Sequence, residues 1–289
     1  MKQVLGSGVH AVVKKARNKQ TKELVAVKCV DKANMRRRQL AREIEILTTV
    51  SHPNVISLKD VFEDEKSVYL VLELVQGGEL FDRIVNDGAF SEKDAAKMIR
   101  KITDALMHLH ERKICHRDLK PENLLLTSKG SEADIKIADF GLSKVILGEK
   151  TMMKRSCGTW AYWAPEILRR QPYDYSVDLW SMGVILYIML SGVHPFDPDG
   201  RSTDAQIVER ILRADYKFDP EYWAHVSPQA KDVIRHLIHM DPMQRYTCEQ
   251  LLQHPWVAGI LSNALKLYVN SFVVEQATGC PTARCPVSH

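Results

Sequence analysis

The 289 residues are 45% hydrophobic and 26% charged, the proportions of an ordinary soluble globular protein with enough chain for two lobes. Forty Lys and Arg against 36 Asp and Glu leave a formal charge of +4, too small an excess to point to nucleic acid or a membrane surface. No apolar leader follows Met1, and the longest nearly apolar run, Leu179 to Leu190, falls short of the ~20 residues of a membrane span.

In chain order, the first eighty residues are strand-rich. Val12-Val13 and Leu24 to Val27 are short β-branched runs joined by the polar turn Asn18 to Lys22. Arg37 to Leu47 carries Leu40, Ile44 and Leu47 at helical spacing. Strands are expected again at Val55 to Leu58 and Val68 to Leu72, the second bounded by Gly77-Gly78. Beyond that point the pattern turns helical. Ser91 is an N-cap, and Ala95, Met98, Ile99, Ile102, Leu106 and Leu109 form one apolar stripe behind it. A loop-and-short-strand region covers His116 to Glu166. Helices follow at Ser176 to Leu190, Ala205 to Leu212, Pro228 to Ile238 and Cys248 to Leu252. Six cysteines (Cys29, Cys115, Cys157, Cys248, Cys280 and Cys285) lack metal-site spacing and read as reduced thiols, which places the protein in the cytoplasm or nucleus.

Gly6-Ser7-Gly8, then Val13, then Val25-Ala26-Val27-Lys28, describe a hairpin whose glycine backbone can approach a phosphate closely. By itself such a glycine pair is more often an ordinary tight turn, and Ala11 stands where a third glycine would complete G-x-G-x-x-G. Glu43, one helix later, can pair with Lys28 and aim its ammonium at two phosphates. His116-Arg117-Asp118-Leu119-Lys120-Pro121-Glu122-Asn123 comes next, followed by Asp139-Phe140-Gly141 and Ala164-Pro165-Glu166. Phosphoryl transfer needs a carboxylate to position the attacking hydroxyl, and oxygen ligands to hold Mg²⁺ against the phosphates. Asp118 suits the first task, Asn123 and Asp139 the second.

These motifs, in this order, resemble the eukaryotic protein kinase catalytic domain over residues 3 to 258, and Asp118 to Asn123 resembles the serine/threonine form of its catalytic loop. The resemblance implies an α+β bilobal fold, with a small β-rich lobe carrying one main helix (1–75), a larger α-helical lobe (76–258) and a tail (259–289). The first strand would be cut short by the start of the chain, as in a fragment of a longer protein. ATP and Mg²⁺ would lie between the lobes, against Leu5, Gly6, Ser7, Gly8, Val13, Ala26, Lys28, the gatekeeper Leu72, the hinge Glu73 to Val75, Glu79, Glu122, Asn123 and Asp139. Lys120 would neutralise the transferring phosphate, and Thr159 would bond Asp118 and Lys120. Glu166 would pair with Arg245, Asp178 would hold the catalytic-loop backbone, and Leu47, Leu58, His116 and Phe140 would stack between the lobes.

Gln76 to Ile84, Gly183 to Gly192 and His254-Pro255-Trp256 resemble the calcium/calmodulin-dependent group, in which the residue matching Glu79 meets an arginine three positions before the acceptor. Glu122 would add to that acidic surface. Ile188 stands where a further acid would select a second basic residue, so one upstream arginine is expected. Arg117 would normally clamp an activation-segment phosphate, yet Arg155 occupies that phosphate's position. Activity without phosphorylation and use of Thr151 both remain open, with Ser156 a further neighbour. Trp160 and Trp163 would either crowd the pocket for the residue after the acceptor or pack on the large lobe. Residues 263 to 269 carry a single basic residue, a poor calmodulin target. A partner-binding scaffold of the same shape would usually lack one of Lys28, Asp118 or Asp139. A small-molecule kinase would not need the peptide-docking segment ending in Ala164-Pro165-Glu166.

Overall fold

The computed structural model describes residues 3–7, 11–33, 37–130, 133–145 and 160–259. The small lobe is one antiparallel sheet built from β1 (Val4–Ser7), β2 (Ala11–Arg17), β3 (Leu24–Asp31), β4 (Leu58–Glu63) and β5 (Ser67–Glu73), in the order β1-β2-β3-β5-β4. Helix α1 (Arg37–Thr49) joins it and buries Leu40, Ile46 and Leu47 together with the carboxylate residue Glu43. In the sheet register Lys28 lies between Val13 on β2 and Leu70 on β5, and Ala26 lies opposite Leu72. The Gly6 hairpin, Lys28 and Leu72 are thereby placed on adjacent strands.

One expected strand is displaced. Val55 to Leu58 is not a strand of the small-lobe sheet: Ile56 donates to the Ile137 carbonyl at 2.9 Å, and Ile137 donates back to Asn54 at 2.8 Å. That apolar run is the strap tying the small lobe to the large one. The pairing strand begins at Leu58.

The large lobe follows as α2 (Leu80–Asp87) and α3 (Glu92–Glu111), then the short strands β6 (Ile114–Cys115), β7 (Leu124–Leu126), β8 (Ile135–Ile137) and β9 (Lys144–Val145). It is completed by α4 (Pro165–Leu168), α5 (Ser176–Ser191), α6 (Asp204–Arg213), α7 (Pro220–Trp223), α8 (Pro228–Leu237), α9 (Cys248–Gln253) and α10 (Pro255–Ala258). Ser91 caps α3 as expected, accepting from the Asp94 amide at 3.2 Å, and every residue of the predicted apolar stripe is buried. Helix α5 is buried on all sides from Val177 to Leu190, Ile188 included, so it is the lobe's central post. At Gly183 an added Cβ would stand 2.7 Å from the Leu237 Cβ, which explains why α5 and α8 require glycine at their contact.

Candidate active site

The small lobe supplies a buried ion pair. Lys28 Nζ lies 2.6 Å from Glu43 Oε1 and 2.9 Å from Asp139 Oδ1, bridging β3, α1 and the segment after β8. Burial by itself would lower the Lys28 pKa, but the Asp139 and Glu43 charges outweigh it and raise it well above the ordinary lysine value. Burial pushes Glu43 up against the pull of Lys28, whereas at Asp139 partial desolvation is outweighed by Lys28, which holds the carboxyl below the usual carboxylate range. The ammonium is therefore held in its charged form between the two carboxylates.

The large lobe supplies the loop between β6 and β7. Asn123 Nδ2 donates to the Asp118 backbone oxygen at 2.8 Å and to its Oδ2 at 3.1 Å, and Lys120 Nζ is 3.4 Å from the same carboxylate oxygen. Asp118 Oδ1 is buried with no hydrogen-bond partner, a costly arrangement unless a substrate hydroxyl completes it. Asp139 adopts a left-handed backbone (φ +60°), and its Oδ1 also accepts from the Gly141 amide at 3.2 Å. Asn123 commits its amide nitrogen to Asp118, so the side-chain oxygen is the atom able to ligate a cation. Asp139 is half-exposed beside it in the sequence of motifs. These two oxygen donors suit a hard cation that takes its remaining ligands from phosphates and water. Among the described residues no group of three or more His, Cys, Asp or Glu could hold a metal alone.

The loop is held from behind. Asp178, fully buried on α5, accepts from the His116 amide at 2.9 Å and the Arg117 amide at 2.8 Å, and His110 Nε2 lies 2.9 Å away. Burial would raise the Asp178 pKa, but the His110 hydrogen bond and the Arg117 amide bring it below the ordinary value. Leu47, His116 and Phe140 are buried and Leu58 partly so, with the His116 and Phe140 rings edge-on at 5.1 Å.

At the end of β5, the Glu73 side chain is tied to the Ser57 amide at 2.8 Å and to Lys136 at 2.9 Å, and its own amide donates to the Ser57 carbonyl at 3.0 Å. Gly77 carries the chain so close to β7 that a Cβ would sit 2.4 Å from the Ser128 oxygen. Glu79 follows, half-buried; desolvation, then the nearby Asp82 and Glu122 charges, raise its pKa against the opposing pull of Lys120. Leu5, Gly6, Ser7 and Val13 sit on the β1–β2 hairpin, with Gly6 paired to Val13. Gly8 lies outside the described residues, as do Thr151, Arg155, Ser156, Thr159, Cys157 and the tail with Cys280 and Cys285.

Beyond the cleft, Arg245 makes a bidentate pair with Glu166 at 2.5 and 2.8 Å, both side chains buried. Trp163 is buried in the large-lobe core and Trp160 packs against it. Three contributors carry no signal in the sequence: Gln39, whose side chain donates to the Gly141 carbonyl at 2.6 Å, His110 behind Asp178, and Tyr173 beside Arg117. Each is known only by a partner far away in the chain.

Comparison with known proteins agrees with this geometry. Residues 1–257 match the family model for the protein kinase domain. Myosin light chain kinase A of Dictyostelium discoideum is 46% identical over 265 residues, 91% of this chain and 88% of its own length. Calcium/calmodulin-dependent protein kinase type 1B of Rattus norvegicus is 44% identical over 261 residues, covering 90% and 75% respectively. Calcium/calmodulin-dependent protein kinase type 1 of Macrobrachium nipponense is 44% identical over 279 residues, covering 96% and 79%. The chain thus belongs to the protein kinase domain family, as a serine/threonine kinase of the calcium/calmodulin-dependent group.

Proposed function

We propose that the protein transfers the γ-phosphoryl group of ATP to serine or threonine in protein segments that carry one arginine three residues before the acceptor. The observation that carries the chemistry is a pair of adjoining charged clusters, Lys28 held by Glu43 and Asp139, and Asp118 held by Asn123 and Lys120, linked where the Ala138 amide donates to the Asn123 carbonyl at 2.8 Å. Lys28 orients the α- and β-phosphates of the nucleotide. Asp118 offers its unpartnered buried oxygen to the acceptor hydroxyl and steers the hydroxyl proton away as the oxygen attacks. Lys120, on the same carboxylate, balances charge developing on the transferred group. Asn123 and Asp139 would hold Mg²⁺, which when bound neutralises phosphate charge. Little covalent chemistry falls to the protein, so fixed positions and fixed charges supply most of the rate.

The arginine preference rests on Glu79. Its carboxylate feels Asp82 and Glu122 more strongly than the Lys120 ammonium, and a guanidinium relieves the remaining repulsion while pairing bidentately. Ile188 is an aliphatic side chain buried within α5, which supports selection of one upstream basic residue. The test compares peptides with Arg or Ala three positions before serine. Glu79→Gln raises KM for the Arg peptide roughly ten-fold and leaves the Ala peptide unchanged. Equal effects on the two peptides would remove Glu79 from substrate recognition. Acidification acts in the same sense: because the Glu79 pKa is raised, the preference for arginine fades at a higher pH than an ordinary glutamate would give.

The partners we propose are ATP and such protein segments, in the cytoplasm or nucleus; residues 263 to 269, with a single basic residue, are a poor calmodulin target. No helix among the described residues is long and apolar enough to cross a membrane.

A further inference from the structure

Arg117 immediately precedes Asp118 and is strained, with a left-handed backbone at φ +69°. It is fastened at both ends from one stretch of chain. Its amide donates to Asp178, the third residue of α5, at 2.8 Å. Its guanidinium reaches Tyr173, five residues earlier, with Nη1 donating to the tyrosine oxygen at 3.0 Å. The other guanidinium donors, Nε at 2.7 Å and Nη2, both go to the Leu142 carbonyl, just beyond Asp139-Phe140-Gly141. Neighbouring stitches run the same way: His116 Nε2 lies 3.2 Å from the Ala138 carbonyl, and Ser143 Oγ donates to the His116 carbonyl at 3.2 Å. Arg117 is therefore the rivet between the loop of Asp118 and the segment of Asp139, and its guanidinium is engaged by two neutral acceptors of this same chain. Among the described residues no carboxylate pairs with it.

We propose that Tyr173 is a positioning residue for phosphoryl transfer: its hydroxyl anchors Arg117 so that the Asp118 and Asp139 segments are set without an added anion, and the kinase turns over with an unphosphorylated activation segment. The proposal rests on the kinase reading and adds its regulation. A hydroxyl bound to a charged group is worth enough to show in rate, yet Tyr173 touches neither nucleotide nor peptide, so binding should be spared.

The test uses phosphatase-treated full chain, its unphosphorylated state checked by mass spectrometry, with Mg²⁺-ATP and an Arg-x-x-Ser peptide. Wild type is expected to be active. Tyr173→Phe should lower kcat roughly ten-fold with both KM values unchanged. Arg117→Met should lower kcat further, and the double variant should lose no more than Arg117→Met alone, because the two act through one contact. Should the methionine variant fail to fold, Arg117→Lys closes the same cycle. Unchanged kcat in Tyr173→Phe, or losses that multiply in the double variant, would overturn the positioning role. Activity that disappears on phosphatase treatment would overturn the anion-free claim while leaving the kinase reading intact. Silence of the phosphorylated and unphosphorylated wild type alike would sink the kinase reading and this proposal with it.

Discussion

Replacing Arg245 by methionine should destabilise the large lobe by about 3–5 kcal/mol, because it strands the Glu166 carboxylate in the interior. The magnitude follows from burial rather than distance. Arg245 and Glu166 are almost completely enclosed, and the guanidinium also donates to the His239 carbonyl at 2.7 Å and the Ser176 carbonyl at 3.3 Å. Arg213 and Glu209 approach to 2.8 Å as well, but their side chains are 72% and 59% exposed, so Arg213→Met should cost under about 0.5 kcal/mol. All five tryptophans lie at or beyond residue 160, and the Arg245 guanidinium stands 5.0 Å from the Trp180 ring. Urea unfolding followed by tryptophan fluorescence therefore reads this lobe directly. The double variant Arg245→Met/Glu166→Leu should recover at least half of the loss, since it removes the stranded charge. Equal costs for Arg245→Met and Arg213→Met, or a double variant no more stable than the single, would refute the burial argument.

Gly183→Ala should destabilise by about 1–3 kcal/mol through overpacking, because the new methyl meets Leu237 at 2.7 Å and Ile238 at 2.8 Å; thermal unfolding would show it. His194 is held neutral: burial depresses its pKa from 6.5 to about 4, against the weaker pull of Asp197, and its Nε2 is enclosed without a partner. The unfolded chain takes up this proton below about pH 6.5 and the folded chain only near pH 4. Stability therefore falls as pH drops across that window, by up to about 3 kcal/mol. His194→Asn should flatten that part of the stability profile, as measured by urea midpoints at a series of pH values.

The chemistry was legible in the sequence because kinase motifs are local. Asp118, Lys120 and Asn123 fall within one loop, and the residue types demanded by phosphate and metal leave little freedom. Helices were legible for a similar reason: the stripe behind Ser91 repeats over about four turns of α3 and is buried throughout. Strand β4 was misplaced because the clearest apolar run, Val55 to Leu58, serves as an interlobe strap. The true edge strand, Leu58 to Glu63, is largely exposed and carries little alternation. Tyr173, His110 and Gln39 were invisible because their partners lie 56, 68 and 102 residues away, and no periodicity encodes a contact at that range. Of the two readings for Trp163, the packing one agrees with its burial in the large-lobe core.

The most direct test of the account is Mg²⁺-ATP-dependent phosphate incorporation into an Arg-x-x-Ser/Thr peptide by wild type and by Asp118→Asn. The account predicts incorporation by wild type and a loss of roughly 10²–10⁴-fold in the variant, with the urea midpoint unchanged. Equal incorporation by the two proteins, or none by a folded wild type that binds ATP, would contradict it.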